Sequence, residues 1–267
     1  MTNEIKKADY KILGVMPVIG LGTWEMAGSG CIDSVIKALE LGYRHIDTAQ
    51  IYGNEKEVGK GMQQSGVNRD EVFLTTKIAT SNLTPGRIKR TTEESLEKLA
   101  TSYVDLLLIH WPTETMNLSE CLETMFELKD QGVVKYVGVS NFNTSLFKEA
   151  IAIGPVLTNQ VKFTPYHGEF ENLKFAQEQK KIITAYSPLA RGRIVTDRIL
   201  NKIGEKYGKS ASQIALRWLI QLENVSVIPK ASSEQHLKEN LEILDFEISV
   251  EDMDVIKQMS RKLVWNI

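Results

Sequence analysis

Cysteine is scarce in this chain. There are two, Cys31 and Cys121, far apart and outside any C-x-x-C pair, so neither a disulfide framework nor a cysteine-based zinc site is expected. Both read as small buried hydrophobes in a protein of a reducing compartment. Long apolar runs are also missing: stretches such as Leu106-Leu-Leu-Ile109 fall far short of the roughly 20 residues a membrane span needs. The first ten residues, Met1 to Tyr10, hold no signal-peptide h-region. A cytoplasmic protein with no membrane partner is the expectation. No charge of one sign dominates, since 32 Lys and Arg against 34 Asp and Glu leave a formal net charge of -2. Nucleic acid is therefore not an expected partner. The four histidines lack metal-ligand spacing, so no metal is expected either. With only 7 prolines and no Pro-, Gly- or Ser-rich linker, residues 1–267 read as one domain.

What the chain does have is alternation. Short β-type runs start at Val18, Tyr43, Val72, Val104, Val133, Leu157, Lys181 and Asn224. Helical patterns follow them: Ile32 to Leu41, Glu55 to Gln64, Thr84-Pro85 to Leu99, Ser119 to Lys129, Thr144 to Ile151 and Glu169 to Gln179. Two helical segments then precede the last strand, and Ser233 to Leu241 follows it. This order predicts a single-domain α/β (β/α)8 TIM barrel. Residues 1–17 are expected to cap its bottom, and residues 250–267 to form an extra helix and tail.

In such barrels the chemistry sits at the C-terminal ends of the strands. The residues there are Asp47, Lys77, His110, Ser140-Asn141, Gln160, Tyr186-Ser187 and Lys230, where a purely structural barrel would do as well with apolar residues and glycines. A packed salt-bridge network among them is the bland alternative. Several motif-like runs are decoys. Gly20-Leu-Gly22 lacks the third glycine of a dinucleotide fingerprint, and Gly204 to Ser210 is one residue short of a phosphate loop and follows a helical pattern. Gly138-Val-Ser140-Asn-Phe142 lacks the glycine of a nucleophile elbow.

Gly42-Tyr-Arg-His-Ile-Asp47-Thr-Ala49, with Tyr52, Gly53-Asn-Glu55 and Val58-Gly59, closely resembles a signature of the aldo-keto reductase superfamily. Val137 to Phe142 resembles a second signature. Ile228-Pro-Lys230 with Glu239-Asn240 resembles a third, and Thr76-Lys77 and His110-Trp-Pro112 are similar to family landmarks. The resemblance covers nearly the whole chain, in the form of a short prokaryotic-type member. It implies an NAD(P)H-dependent reductase with Asp47, Tyr52, Lys77 and His110 as its catalytic set. It further implies that Ser140, Asn141 and Gln160 hold the nicotinamide carboxamide, that Tyr186 stacks on the ring, and that Ser187 and Leu189 line the pyrophosphate path. Thr23 and Trp24 are expected beside the cofactor as well. Lys230, Ala231, Ser232, His236, Glu239 and Asn240 are expected around its adenosine end.

The chemistry explains the set. Hydride addition to a carbonyl leaves negative charge on oxygen, which a proton donor must quench. A free tyrosine, with a pKa of about 10, is a weak donor near neutrality. A lysine ammonium about 4 Å away at a dielectric of about 20 is worth roughly 4 kcal/mol. Lys77 is therefore expected to lower the Tyr52 pKa by about three units, with Asp47 holding Lys77 in place and neutral His110 orienting the substrate oxygen. Trp24, Tyr52, His110 and Trp111 are expected to contact substrate, and Trp265 is a weaker candidate.

The third signature departs from the family pattern. Ala231 stands where Ser or Thr is usual, and His236 stands for the arginine that grips the 2′-phosphate. A free imidazole is mostly neutral at pH 7, unlike a guanidinium, while Ser232 and Ser233 remain as hydroxyl donors. NADPH is the expected cofactor, with NADH less strongly excluded than in relatives. The short tail favours an open site for small aldehydes, α-dicarbonyls or sugar-derived carbonyls. A monomer or weak homo-oligomer is expected. Two rival readings are a non-catalytic NADPH-binding regulatory subunit on the same fold and a Schiff-base lyase using Lys77, though an adjacent Asp47 opposes the latter by raising the lysine's pKa.

Overall fold

The computed structural model describes residues 11–262; Trp265 and residues 1–10 lie outside them. A short antiparallel hairpin, β1 (Lys11–Ile12) and β2 (Met16–Pro17), opens the described chain. Eight parallel strands follow in sequential order: β3 (Leu21–Gly22), β4 (His45–Asp47), β5 (Phe73–Ile78), β6 (Val104–Ile109), β7 (Val134–Ser140), β8 (Val156–Lys162), β9 (Ile182–Tyr186) and β10 (Val225–Ile228). The ring closes through main-chain bonds from the β3 segment to β10. Val227 N donates to Val18 O at 2.9 Å, Gly20 N to Val227 O at 2.8 Å, and Gly22 N to Pro229 O at 3.1 Å. The expected (β/α)8 barrel is the observed fold.

The first strand is shorter than the sequence suggested. Of Val18 to Thr23, only Leu21 and Gly22 form regular strand, with Ile19 bridged singly to Val227. Closure is the reason. A Cβ on Gly22 would lie 2.6 Å from the Ile228 carbonyl oxygen, and one on Gly20 would lie 2.6 Å from His45 Nδ1. Of the two glycines that resembled a dinucleotide fingerprint, Gly22 instead lets the first and last strands approach, and Gly20 leaves room for the His45 ring of β4. Gly208, in the run that resembled a phosphate loop, ends a helix in the left-handed conformation at φ 63°.

The helices are α1 (Gly28–Glu40), α2 (Glu55–Gln64), α3 (Pro85–Leu99), α4 (Leu118–Asp130), α5 (Thr144–Ile153), α6 (Phe170–Glu178), α7 (Arg198–Tyr207), α8 (Ala211–Gln221), α9 (Glu234–Leu241) and α10 (Val250–Lys262). In α1 the buried residues Cys31, Val35, Ala38 and Leu39 recur at helical spacing and face the sheet. Ser210 and Gln213 form a reciprocal capping box at the start of α8. Thr84 precedes Pro85 at the start of α3 but makes no side-chain cap bond, so there the proline alone suits the helix start. No helix among the described residues is long and apolar enough to cross a membrane.

Two-residue periodicity builds the interior. Phe73, Thr75 and Lys77 share one face of β5. Leu106, Leu108 and, one residue past the strand, His110 share a face of β6, and His45 and Asp47 share one of β4. Near the strand starts, Met16 of the hairpin packs with Phe73, Leu106, Leu108 and Ile182. A middle layer is polar and mostly paired: Thr158 and Thr184 bond each other at 2.9 Å, and His45 Nε2 meets Thr75 Oγ1 at 3.1 Å, while His45 Nδ1 is buried without a hydrogen-bond partner. His45 is therefore structural, and burial with the nearby Lys77 charge lowers its pKa to about 3. The layer above holds Asp47, Lys77 and His110.

Candidate active site

The C-terminal ends of β4 and β5 bring a carboxylate and an ammonium together out of water. Lys77 Nζ donates to Asp47 Oδ1 at 2.6 Å, to the Thr48 carbonyl at 2.8 Å and to Tyr52 Oη at 3.4 Å. The second Asp47 oxygen accepts from Gln160 Nε2 at 2.8 Å. Both side chains are buried, at 0% and 1% exposure. Burial alone would favour a neutral lysine, but Asp47, Tyr52 and their hydrogen bonds hold the Lys77 pKa above its ordinary value. Lys77 is charged. An ammonium has three N–H donors and no acceptor, and all three are used. Tyr52 therefore accepts from Lys77, and its own proton must point elsewhere.

Tyr52 sits on a 3-10 turn, Gln50–Tyr52, just past β4. Its pKa lies above the usual tyrosine value, opposite to the expectation from sequence. Burial raises it most, Lys77 pulls it down by charge and hydrogen bond, and Asp47 raises it again. The ammonium does pull the pKa down, but dehydration of the phenolate outweighs it.

His110 lies edge-on to Tyr52, with ring centroids 5.6 Å apart. Burial and the Lys77 charge lower its pKa to about 3, so the ring is neutral. Its Nδ1 is buried without a hydrogen-bond partner. A proton there would be a stranded donor, so the favoured tautomer carries it on Nε2.

These groups open onto a cavity of about 270 Å³. One wall is apolar and aromatic, with Trp24, Ile51 and Trp111, the last two exposed by 59% and 46%. Another part of the lining is a hydrogen-bonded chain. Ser140 Oγ donates to Gln160 O at 2.8 Å, Asn141 Nδ2 to His110 O at 2.9 Å and to Ser140 Oγ at 3.0 Å, and Tyr186 Oη to Asn141 Oδ1 at 2.8 Å. Asn141 and Ser187 hold left-handed backbones, φ 62° and 47°, a strain that tends to collect at functional sites. A larger hollow of about 340 Å³ lies at the other end of the barrel. There Asp105 is already paired with Arg69 at 2.8 Å and Lys135 at 2.9 Å, and none of the strand-end residues reaches it.

The structure divides the expected residues. Asp47, Tyr52, His110, Trp24, Trp111, Ser140, Asn141, Gln160, Tyr186, Ser187 and Lys230 all line the cavity, and Lys77 lies directly beneath Tyr52. Thr23 is buried with its hydroxyl on the Asp47 carbonyl at 2.9 Å, and Leu189 is half-buried; neither lines the cavity. Ala231 is buried, and Ser232 and His236 are exposed outside the cavity. Ser233 caps α9 by accepting from His236 N at 3.2 Å. Glu239 accepts from Gln235 at 2.8 Å, and Asn240 is buried beside the Tyr43 hydroxyl.

Sequence reasoning missed three contributors. Thr48 acts through its main-chain carbonyl, which no side-chain pattern reveals. Ile51 lies between two recognised positions. Arg191 lines the cavity with its guanidinium 4.6 Å above the Trp24 ring, on a loop where Ala190, Arg191 and Gly192 all have positive φ. The glycine in that short basic stretch was the one available hint.

A family model described as the Aldo/keto reductase family matches residues 18–261. Methylglyoxal reductase DkgB of Yersinia pestis is 39% identical over 251 residues, covering 92% of this chain and 94% of that protein. An aldo-keto reductase of Mycobacterium avium is 37% identical over 246 residues, covering 91% and 85%. Among solved structures, a putative 2,5-diketo-D-gluconic acid reductase B superposes with a TM-score of 0.90 at 39% identity, covering 97% of this chain and 92% of that one.

Proposed function

This chain belongs to the aldo/keto reductase family and is an oxidoreductase acting on carbonyls, and from that premise we propose that it reduces small aldehydes and ketones with NADPH, Tyr52 supplying the proton. The observation that carries this reading is the donor count at Lys77: three N–H groups on three acceptors leave the Tyr52 proton free to face the cavity.

The cavity wall suits a nicotinamide dinucleotide. Ser140, Asn141 and Gln160 offer the amide and hydroxyl groups that a carboxamide pairs with, and the Tyr186 ring offers a stacking face. Lys230 and Arg191 at the rim supply cations for phosphates. When bound, the cofactor supplies the hydride. The protein's part is position and charge. The substrate oxygen accepts from Tyr52 Oη–H and from His110 Nε2–H, which fix it and stabilise the charge that develops there. The proton then passes from Tyr52 to that oxygen, and Lys77, 3.4 Å away, stabilises the phenolate left behind. A Tyr52 pKa above its usual value keeps the donor protonated at working pH. The transfer remains downhill, because an alkoxide is a base of roughly the strength of hydroxide, whose conjugate acid has a pKa of about 15.7. A Schiff-base role for Lys77 is opposed by its raised pKa and its full set of hydrogen bonds.

A cavity of about 270 Å³ walled by Trp24, Ile51 and Trp111 favours small aldehydes, α-dicarbonyls and sugar-derived carbonyls; two of the relatives are named for dicarbonyl substrates. With Ala231 and His236 at the expected adenosine end, NADPH is preferred over NADH less strongly than an arginine there would impose. We place the enzyme in the cytoplasm, in keeping with its two free, buried cysteines, as one domain and a monomer or weak homo-oligomer. The test is a panel of methylglyoxal, aromatic aldehydes and keto sugars assayed with each cofactor by loss of reduced-cofactor absorbance. Turnover of several members with NADPH is expected; turnover of none would overturn the reading.

A further inference from the structure

Tyr52 rides on a turn with little of its own to hold it. The turn's internal main-chain bonds, Tyr52 N to Ala49 O at 3.0 Å and Gly53 N to Gln50 O at 3.3 Å, shape it without fastening it to the barrel. Ile51 is 59% exposed and adds little packing. A segment with few buried contacts belongs to the low-stability end of a fold. Yet the contact that matters, Lys77 Nζ to Tyr52 Oη, is 3.4 Å, at the long edge of hydrogen bonding, so a small drift would break it.

One side chain makes up the deficit. Gln50 Oε1 accepts from Ala79 N at 2.9 Å and from Asn82 Nδ2 at 3.1 Å. Gln50 Nε2 donates to the Thr91 carbonyl at 3.1 Å and to Ser95 Oγ at 3.3 Å. A side-chain amide has one oxygen with two lone pairs and two N–H donors, and every one of these is used. The partners identify what is being fastened. Ala79 lies two residues past Lys77 on the same chain, and Thr91 and Ser95 belong to α3, the helix that follows β5. Asn54, on the other flank of the turn, reaches a different part of the barrel, donating to the Thr23 and Met26 carbonyls at 2.8 and 3.0 Å.

The geometry points to Gln50 as the residue that positions Tyr52 against Lys77, by bolting the turn that carries the phenol to the exit of the strand that carries the ammonium. This inference rests on the Tyr52 reading above. Gln50 touches neither substrate nor the reacting atoms; it acts through Tyr52. Replacing it by leucine keeps the side-chain volume, removes all four bonds and leaves the Ala79 N–H without its partner.

The experiment compares Gln50→Leu, Asn82→Ala and Tyr52→Phe with the parent, using the best carbonyl of the panel and NADPH. Gln50→Leu is expected to lower kcat by at least about fivefold, since an ångström of misplacement can cost up to about 10²-fold. The NADPH Kd should stay within twofold and thermal unfolding should stay cooperative. The solvent deuterium isotope effect on kcat should rise, because a displaced phenol makes proton transfer slower. Asn82→Ala removes one of the four bonds from outside the turn and should shift the same quantities in the same direction by less. A Gln50→Leu kcat within twofold of the parent, or a fall in kcat with no change in isotope effect, overturns the proposal. If Gln50→Leu does not fold, Asn82→Ala decides by the same two readouts. Near-normal turnover by Tyr52→Phe would instead overturn the reading of Tyr52 itself.

Discussion

Removing the Lys77 ammonium separates its two roles. Lys77→Met keeps the length and most of the volume of the side chain and deletes only the charge and its three donors. At 3.4 Å from Tyr52 Oη and an effective dielectric of about 20, that charge is worth about 5 kcal/mol to a full phenolate. Proton transfer is partial in the transition state, so kcat should fall by about 10²- to 10³-fold. The same change leaves Asp47, 1% exposed, with an unpaired buried charge and should cost about 3–5 kcal/mol of stability. Asp47 in the variant then has a folded pKa raised above its unfolded value. The folded state binds more protons than the unfolded one, so the stability loss should grow as pH rises from 5 to 8. Adding Asp47→Asn removes the stranded charge and should recover at least about 2 kcal/mol while leaving turnover low. Urea titrations at the two pH values and kcat by cofactor absorbance measure both. The reasoning is refuted if Lys77→Met keeps kcat within tenfold of the parent, or if Asp47→Asn restores no stability in its background.

Three further outcomes follow from the same geometry. Tyr52→Phe should keep NADPH binding, read by fluorescence titration, and lose about 10²- to 10⁴-fold in kcat; a loss below tenfold would contradict the proton assignment. His236→Arg should raise the ratio of NADH to NADPH Kd, because a guanidinium pairs with a 2′-phosphate through two parallel hydrogen bonds; a ratio unchanged from the parent removes position 236 from the site. His45, with a folded pKa of about 3 against about 6.5 when unfolded, is neutral in the fold where the unfolded chain takes up a proton. Stability should therefore drop as pH falls below 6.5, by about 2 kcal/mol from this residue at pH 5. Urea titrations of His45→Leu should show a correspondingly smaller gap between pH 8 and pH 5, and an equal gap would refute the assignment.

The barrel was legible because its signals are local. Period-two faces such as Phe73, Thr75 and Lys77, and bounded amphipathic runs such as Glu55–Gln64, are written within single elements. What the sequence hid was produced by closure and by burial. Gly20 and Gly22 look like half a fingerprint because a phosphate and a close-packed neighbour both demand a missing Cβ, and only the His45 ring beside Gly20 and the Ile228 carbonyl beside Gly22, each 2.6 Å from where the Cβ would stand, tell the two cases apart. Arg191 reaches the cavity through a run of positive-φ residues that no periodicity encodes. Thr48 contributes a carbonyl that any residue at that position would carry.

The sign of the Tyr52 shift shows how neighbouring residues can be read from a sequence while their energetics are misread. Adjacency to Lys77 suggested an acidified phenol, yet burial places Tyr52 above its usual pKa. The ammonium's value lies elsewhere. In an aqueous site a phenol would exchange its hydrogen bonds freely, and its proton would face the substrate only part of the time. Here Lys77 can only donate, Asp47 and Thr48 occupy two of its protons at 2.6 and 2.8 Å, and the third is left for Tyr52. That fixes which lone pair of Tyr52 is filled and so where its proton points. Burial, which raises the pKa, also removes the water that would scramble this direction. What burial costs in acidity it returns in orientation, and with an alkoxide as the acceptor the orientation is the scarcer quantity. A lysine held by a neutral partner would sit in the same place with one fewer reason to stay charged, so in the mechanism proposed above Asp47 serves the proton's path without touching the proton.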